Sequence, residues 1–151
     1  MQSLLIGIDG KWINWSGATG YDDFDWDDQY VVAVGLQFNP NAKLALRLGY
    51  NYGNNPVKEH NAFNAAGFTN VQGSTFPNAN YEFLRIVGFP AIAEQHITLG
   101  IGYEITEKFS MNAGFMYVPE ETIKETDSSG GLTYESSLSE TSVDLGLTWR
   151  F

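Results

Sequence analysis

The chain has no cysteine, only eight Lys and Arg against eighteen Asp and Glu, and no run of about twenty apolar residues. Each absence removes a class of protein. Without cysteine there is no thiol nucleophile and no Cys-based zinc pattern; the composition suits a chain exported through the periplasm, although it says little about redox compartment. A formal charge of −10 argues against nucleic acid, which is bound through Lys and Arg. The missing apolar run excludes a transmembrane helix but not a membrane, because half of every barrel strand is polar. His60 and His96 stand far apart, in no ligand or catalytic spacing. No nucleophile–base pair or phosphate loop is present. The expectation is therefore no enzyme, no metal and no cofactor.

What is present is alternation. The last nine residues put Val143, Leu145, Leu147, Trp149 and Phe151 on one side of a strand and Asp144, Gly146, Thr148 and Arg150 on the other. In an outer-membrane barrel the first side meets lipid, the second meets the lumen, and a terminal aromatic lies at the interface. Five more segments repeat the period of two: Leu4 to Lys11, Val32 to Phe38, Leu44 to Tyr52, Ile97 to Ile105 and Phe109 to Tyr117. Each approximates the ten or so residues that a tilted strand needs to cross a bilayer. Ten Phe, eight Tyr and four Trp fit interfacial girdles more simply than a binding cluster.

The connections alternate as well. Residues 39–42 and 106–108 are short turns, whereas 16–29, 53–93 and 118–135 are long. Short turns on one side and long loops on the other is the outer-membrane arrangement, with the long loops outside the cell. Ile105 and Phe109 are expected to pair across a three-residue loop. The alternative is a soluble antiparallel sandwich or lipocalin-like barrel whose apolar face meets a protein core. No leader of charged, apolar and small residues opens the chain, and six strands fall short of the eight or so of a single-chain barrel. The expected fold class is all-β: an antiparallel transmembrane β-barrel, of which residues 1–151 are the C-terminal six strands, closed by a missing N-terminal half or by other chains.

Three stretches carry a resemblance: Asp9-Gly-Lys-Trp-Ile-Asn-Trp15, Leu48-Gly-Tyr-Asn-Tyr-Gly-Asn-Asn-Pro56, and Phe83 through Tyr103. In their succession they resemble the C-terminal portion of FadL-type outer-membrane transporters, which carry long-chain fatty acids and, in the toluene branch, aromatic hydrocarbons. The resemblance covers nearly the whole chain. It implies a fourteen-stranded barrel with an N-terminal plug, neither the plug nor the early strands being in this chain. It also implies a bacterial outer-membrane location, passive uptake of hydrophobic compounds, and partners comprising membrane lipid, lipopolysaccharide, a hydrophobic small molecule and the barrel assembly machinery. The rival expectations are a non-transporting barrel or adhesion scaffold presenting acidic loops, and a soluble carrier of apolar ligands.

The candidate site residues follow from these faces. Phe83, Phe89, Pro90 and Ile92 belong to an apolar stretch that either leans over the barrel mouth on the substrate path or extends a strand above the membrane. Arg47, Gly100 and Gly102 face the lumen. The glycines either leave room for a passing molecule or relieve crowding in a curved sheet. Inward charges at Asp9, Lys11, Arg47, Glu104, Asp144 and Arg150 are expected to pair with one another or with a plug, since lumen charges must be solvated or matched. The loop Tyr21 to Asp28 holds five carboxylates among aromatics; it lacks the Gly and terminal Glu of an EF-hand and is expected to be a solvated acidic rim. Trp149 and Phe151 resemble the terminal signal read by assembly machinery.

Overall fold

The computed structural model describes residues 2–151. Its main element is an antiparallel sheet of β1 (Ser3–Ile13), β2 (Gln29–Asn41), β3 (Leu44–Gly53), β6 (Gln95–Thr106), β7 (Phe109–Thr126) and β8 (Thr133–Trp149), in that spatial order. A two-stranded hairpin, β4 (Phe68–Val71) and β5 (Ser74–Pro77), and a short helix, α1 (Asn78–Phe83), lie within the long β3–β6 connection. The fold is all-β, and the main sheet is open. β1 and β8 form its two edges and do not pair with each other.

Register turns the alternation of each strand into continuous rows. Ile6, Leu36, Leu48, Leu99, Phe115 and Val143 lie side by side across the main sheet. The row towards the short turns is Leu4, Phe38, Leu46, Ile101, Ala113 and Leu145. Because the side-chain period of a strand is two, one slip of register would move a whole strand's apolar set to the other face; unbroken rows mean that all strands agree. Among the described residues no second layer covers them: the residues of the Ile6 to Val143 row stay between 37% and 69% exposed. The opposite face carries rows such as Gly7, Gly35, Gly49, Thr98, Met116 and Ser142.

The packed core lies instead at the end of the long connections. Trp26, Val57, Ile86, Ile92 and Ile123 are buried together there, with Trp15, Phe24, Tyr134 and Leu138 against them. An isolated antiparallel bridge between Trp26 and Val57 and a parallel one between Phe63 and Asp127 stitch the connections to each other and to the β7–β8 tip. The sheet is thus two-faced and bare, and its end opposite the short turns carries a small globular cap.

Two sequence expectations are corrected here. Residues 118–135 are not a long loop. β7 and β8 continue past the alternating segments, leaving only residues 127–132 as a turn. β-branched Thr122, Ile123, Thr126 and Thr133 favour extension, and cross-strand pairs hold it: Thr122 to Ser137 at 2.7 Å, Thr126 to Thr133 at 3.1 Å and Lys124 to Glu135 at 3.0 Å. The turn is closed by Asp127, whose carboxylate accepts from the amide of Leu132 at 2.8 Å, while Gly130 takes φ +73°. The outer face of this hairpin is polar, so apolar alternation did not mark it.

The second correction concerns register. Phe109 pairs with Thr106, not Ile105, because an irregularity between Glu104 and Thr106 absorbs one residue. Such a bulge shortens the loop while keeping Tyr103 opposite Met111 on the apolar face. In the β3–β6 connection, the Phe83–Ala93 stretch does not extend a strand through Gly88. α1 follows Pro77, whose φ of −57° suits a helix start, and runs into a wider helical turn, Leu84–Gly88.

Candidate functional site

On the polar face Arg47 is the largest organised feature. Its Nε donates to Gln37 Oε1 at 2.8 Å on β2, and its Nη1 reaches Asn112 Oδ1 at 3.4 Å on β7, lying across β6. Gly100 and Gly102 make that possible. A Cβ at Gly102 would sit 2.7 Å from Asn112 Oδ1 and 3.1 Å from Arg47 Nη1, and one at Gly100 3.3 Å from Arg47 Cβ. The space left by these glycines is therefore filled by Arg47, whereas Gly7 and Gly35 face open space. Among the other charges expected to face a lumen, Arg150 approaches Glu104 at 3.8 Å.

The second site is in the cap, and sequence reasoning missed it. Arg85, in the wide turn after α1, is completely buried and every nitrogen of its guanidinium donates. Nε bonds the carbonyl of Phe24 at 2.8 Å, Nη2 the carbonyl of Lys58 at 2.6 Å, and Nη1 the carboxylates of Glu82 at 2.5 Å and Glu125 at 3.2 Å. Its Cζ lies 5.6 Å from the Tyr81 ring centroid, within cation–π range. One side chain thus joins the acidic loop, the segment after β3, α1 and the tip of β7. A buried cation needs such matching, because removing one partner of a buried pair strands the other charge.

His60 extends the cluster. Its Nε2 lies 2.9 Å from Asp25 Oδ2, its Nδ1 lies 3.0 Å from Glu82 Oε1, and its amide donates to Glu125 Oε1 at 2.6 Å. Arg85 Nη1 is also 2.8 Å from Nδ1. A bare Nδ1 accepts from Arg85, while a protonated one donates to Glu82, so the ring has two ways of being satisfied. The Glu82 hydrogen bond holds the imidazole pKa above its ordinary value, against burial and the Arg85 charge. Burial pushes Glu82 upward, but His60 and Arg85 outweigh it and keep its carboxyl below the usual range. Burial pushes Glu125 up, in keeping with its Oε2 being buried without a hydrogen-bond partner. Asp25 is held down first by Lys58, which it meets at 2.7 Å.

His60, Glu82 and Glu125 bring one potential ligand atom each to within 4.8 Å of the others, but Arg85 Nη1 contacts all three residues. The guanidinium holds the place a cation would take. Nor do the loop carboxylates converge. Asp22 accepts from the Gly20 amide, Asp23 from Gln72, Asp25 and Asp27 pair with Lys58, and Asp28 accepts from Ser16 and Trp12. Most of this loop's charge is spent on tying it down.

The remaining sequence candidates scatter. Phe89 is exposed, with its ring 5.9 Å from Phe24. Phe83 packs edge-on to Tyr134 at 5.6 Å, and Pro90, which follows Phe89, is half-buried. Ile92 is buried in the cap core. Trp149 pairs with Phe109 at the short-turn end, and Phe151 is fully exposed beyond the strand. Searches of this chain against protein-family models, curated proteins and solved structures find no match.

Proposed function

We propose that the six-stranded sheet is part of a bacterial outer-membrane β-barrel through which hydrophobic compounds, long-chain fatty acids or aromatic hydrocarbons, enter by passive diffusion. The observation that supports this best is the set of unbroken apolar rows, aligned across six strands and left exposed. A soluble sheet buries such a face against a second layer; lipid is the solvent that makes a bare one favourable. The polar face would then line the lumen, with Arg47 laid flat against the wall. The unpaired edges of β1 and β8 would have to close against further strands, since unpaired backbone groups in lipid cost several kcal/mol each. Passive uptake of apolar compounds itself rests on the resemblance of Asp9–Trp15, Leu48–Pro56 and Phe83–Tyr103 to the FadL-type transporters.

The absence of cysteine makes a direct test simple. Single substitutions Leu99→Cys and Thr98→Cys, labelled with an environment-sensitive fluorophore in membranes of expressing cells, should report lipid at the first position and water at the second. Uptake of a labelled apolar compound by the same cells should exceed that of cells lacking the protein. Water at both positions would sink the membrane reading, and lipid at Leu99 without uptake would sink transport alone. That last outcome would favour the second reading, an anchoring barrel whose cap binds a surface partner, for which the buried hydrophobic cluster in the cap is the specific support.

A further inference from the structure

The cap crosses the polar face of the sheet. β1 and β8 are about 24 Å apart along the sheet, at roughly 4.8 Å per neighbouring strand. Yet Trp15, just beyond β1, and Tyr134 and Leu138 on β8 all pack against one buried cluster, which thus reaches from edge to edge. Parity fixes the side. Tyr134 and Leu138 share the face of Ser142 and Asp144, because strand side chains alternate with a period of two. Val118, fully buried, lies opposite Glu140 on that same face. The irregularity between Val118 and Glu121 absorbs the residue that would otherwise turn Ile123 and Glu125 to the apolar side.

The cap is attached unevenly. Residues 54–94 leave β3 and return to β6, which are neighbours in the sheet, and the two ends are pinned together: the Gly53 amide donates to the Glu94 carbonyl and the Asn55 amide to Glu94 Oε1, both at 2.8 Å. That is a narrow stem. The far side rests on the β7–β8 tip, where the Ala62 amide donates to the Thr126 carbonyl and the Ser128 amide to the Phe63 carbonyl, both at 2.8 Å. Phe63 stacks on Tyr134 at 6.1 Å, and Glu125 accepts from Arg85 and from the His60 amide. The β1–β2 loop is joined to the same body through the Trp26–Val57 bridge and the Arg85–Phe24 hydrogen bond. Below lies a chamber of about 360 Å³, lined by Gly35, Gly49, Asn51, His96 and Thr98 among others. Asn51 Oδ1 and His96 Nδ1 are closed to solvent there, without a hydrogen-bond partner among the described residues, whereas Gly7 and Gly35 in the next row face open space.

From the stem on two neighbouring strands, the far side held to a hairpin tip and the chamber below, we propose that the cap is a lid over the mouth of the lumen, and that it opens by parting residues 54–94 from the β7–β8 tip. The lid rests on the barrel reading for there being a lumen to cover.

The test measures access from outside. The chain has no cysteine, so Thr98→Cys places a single thiol in the chamber wall. A poly(ethylene glycol) maleimide too large to cross the outer membrane is added to intact cells expressing the full chain, and modification is mapped by mass spectrometry. Replacing residues 121–138 by a tight turn removes the tip and should raise the rate at Thr98→Cys roughly tenfold, since reaction through local opening tracks the population of the open form. Asn64→Cys and Ser128→Cys, which flank the Phe63–Asp127 bridge, should form a disulfide that locks the lid to the tip. Locking should slow modification at Thr98→Cys several-fold, and reducing the lock should restore it. Equal rates with and without the tip would mean that nothing covers the chamber, and a locked chain as fast as the unlocked one would mean that the lid does not open there; either result overturns the proposal. If the shortened chain fails to assemble, the lock alone decides. An environment-sensitive label at Leu99→Cys reads the barrel separately. Water at Leu99 would remove the lumen and the lid with it, whereas lipid at Leu99 with unchanged rates would sink the lid alone.

Discussion

At the scale of residues, the decisive side chain is Arg85, because its buried charge is matched by groups from four separate stretches of chain. Replacing it with Met keeps volume but leaves Glu82 and Glu125 buried without their cation. A loss of about 3–5 kcal/mol is expected for such a broken pair, read as faster hydrogen exchange in residues 54–94 with the strands unchanged. Adding Glu82→Gln and Glu125→Gln to Arg85→Met should restore much of the protection, whereas a structural role confined to packing would show no rescue. The pH dependence follows from the same groups. The His60 pKa is raised above 6.5, so its contribution is complete below that value and is lost as pH rises through the folded pKa. The pKa of Glu125 is raised too, and acts in the same direction. Asp25 and Glu82 are depressed below 3.8 and 4.5, so their contributions hold above those values and fail as pH falls through the folded ones. The cap should therefore be tightest in mildly acidic buffer. Limited proteolysis within residues 54–94 should accelerate towards alkaline pH, and His60→Gln should flatten that rise when compared under the same protease.

At the scale of elements, the two faces of one strand make opposite demands. Leu48 lies in the central apolar row and Thr98 in a row of the other face. If the first meets lipid, Leu48→Arg should cost about 2–4 kcal/mol near the bilayer midplane, and Thr98→Arg much less, in a folding assay on the assembled barrel. Equal costs would remove the assignment of faces. The β7–β8 hairpin makes a different demand. It reaches beyond the sheet and delivers Ile123 and Glu125 to the cap, both almost fully buried. Replacing residues 121–138 by a tight turn should free the cap to proteolysis and leave the six strands protected, because β7 and β8 still pair from Phe109 to Val118. Cleavage spreading into β1–β3 would show that the cap and sheet form one cooperative unit.

At the scale of the whole molecule, the sheet is bounded by two free edges, and β1 and β8 each present a row of unpaired backbone groups. Such edges template pairing with any available chain. The 151-residue chain refolded alone in detergent should therefore self-associate, seen as a broad distribution in light scattering. Ile6→Pro and Leu145→Pro, which remove one edge donor each, should narrow it. A monodisperse, heat-resistant monomer of the unaltered chain would mean that the edges meet, and that the barrel is smaller than single-chain barrels of eight or more strands.

What the sequence determined by itself is local. Alternation over ten residues, as in Leu44 to Tyr52 or Val143 to Phe151, needs no knowledge of neighbours, because the two sides of a strand are set by backbone geometry alone. All six main strands were legible in this way, though not the extension of β7 and β8, whose solvated face carries Thr, Lys and Glu in place of an apolar stripe. The cap was illegible for a related reason. His60 and Glu125 are 65 positions apart and meet only because β7 overshoots the sheet. In the sequence, Glu82 and Arg85 look like any solvated helical pair three residues apart. Burial, which gives those charges their energetic weight, is a property of packing between distant segments. Tertiary structure alone decided that an acidic loop, a helical turn and a hairpin tip would share one guanidinium. It likewise decided that the glycines opposite Arg47 would hold a side chain, not leave a void.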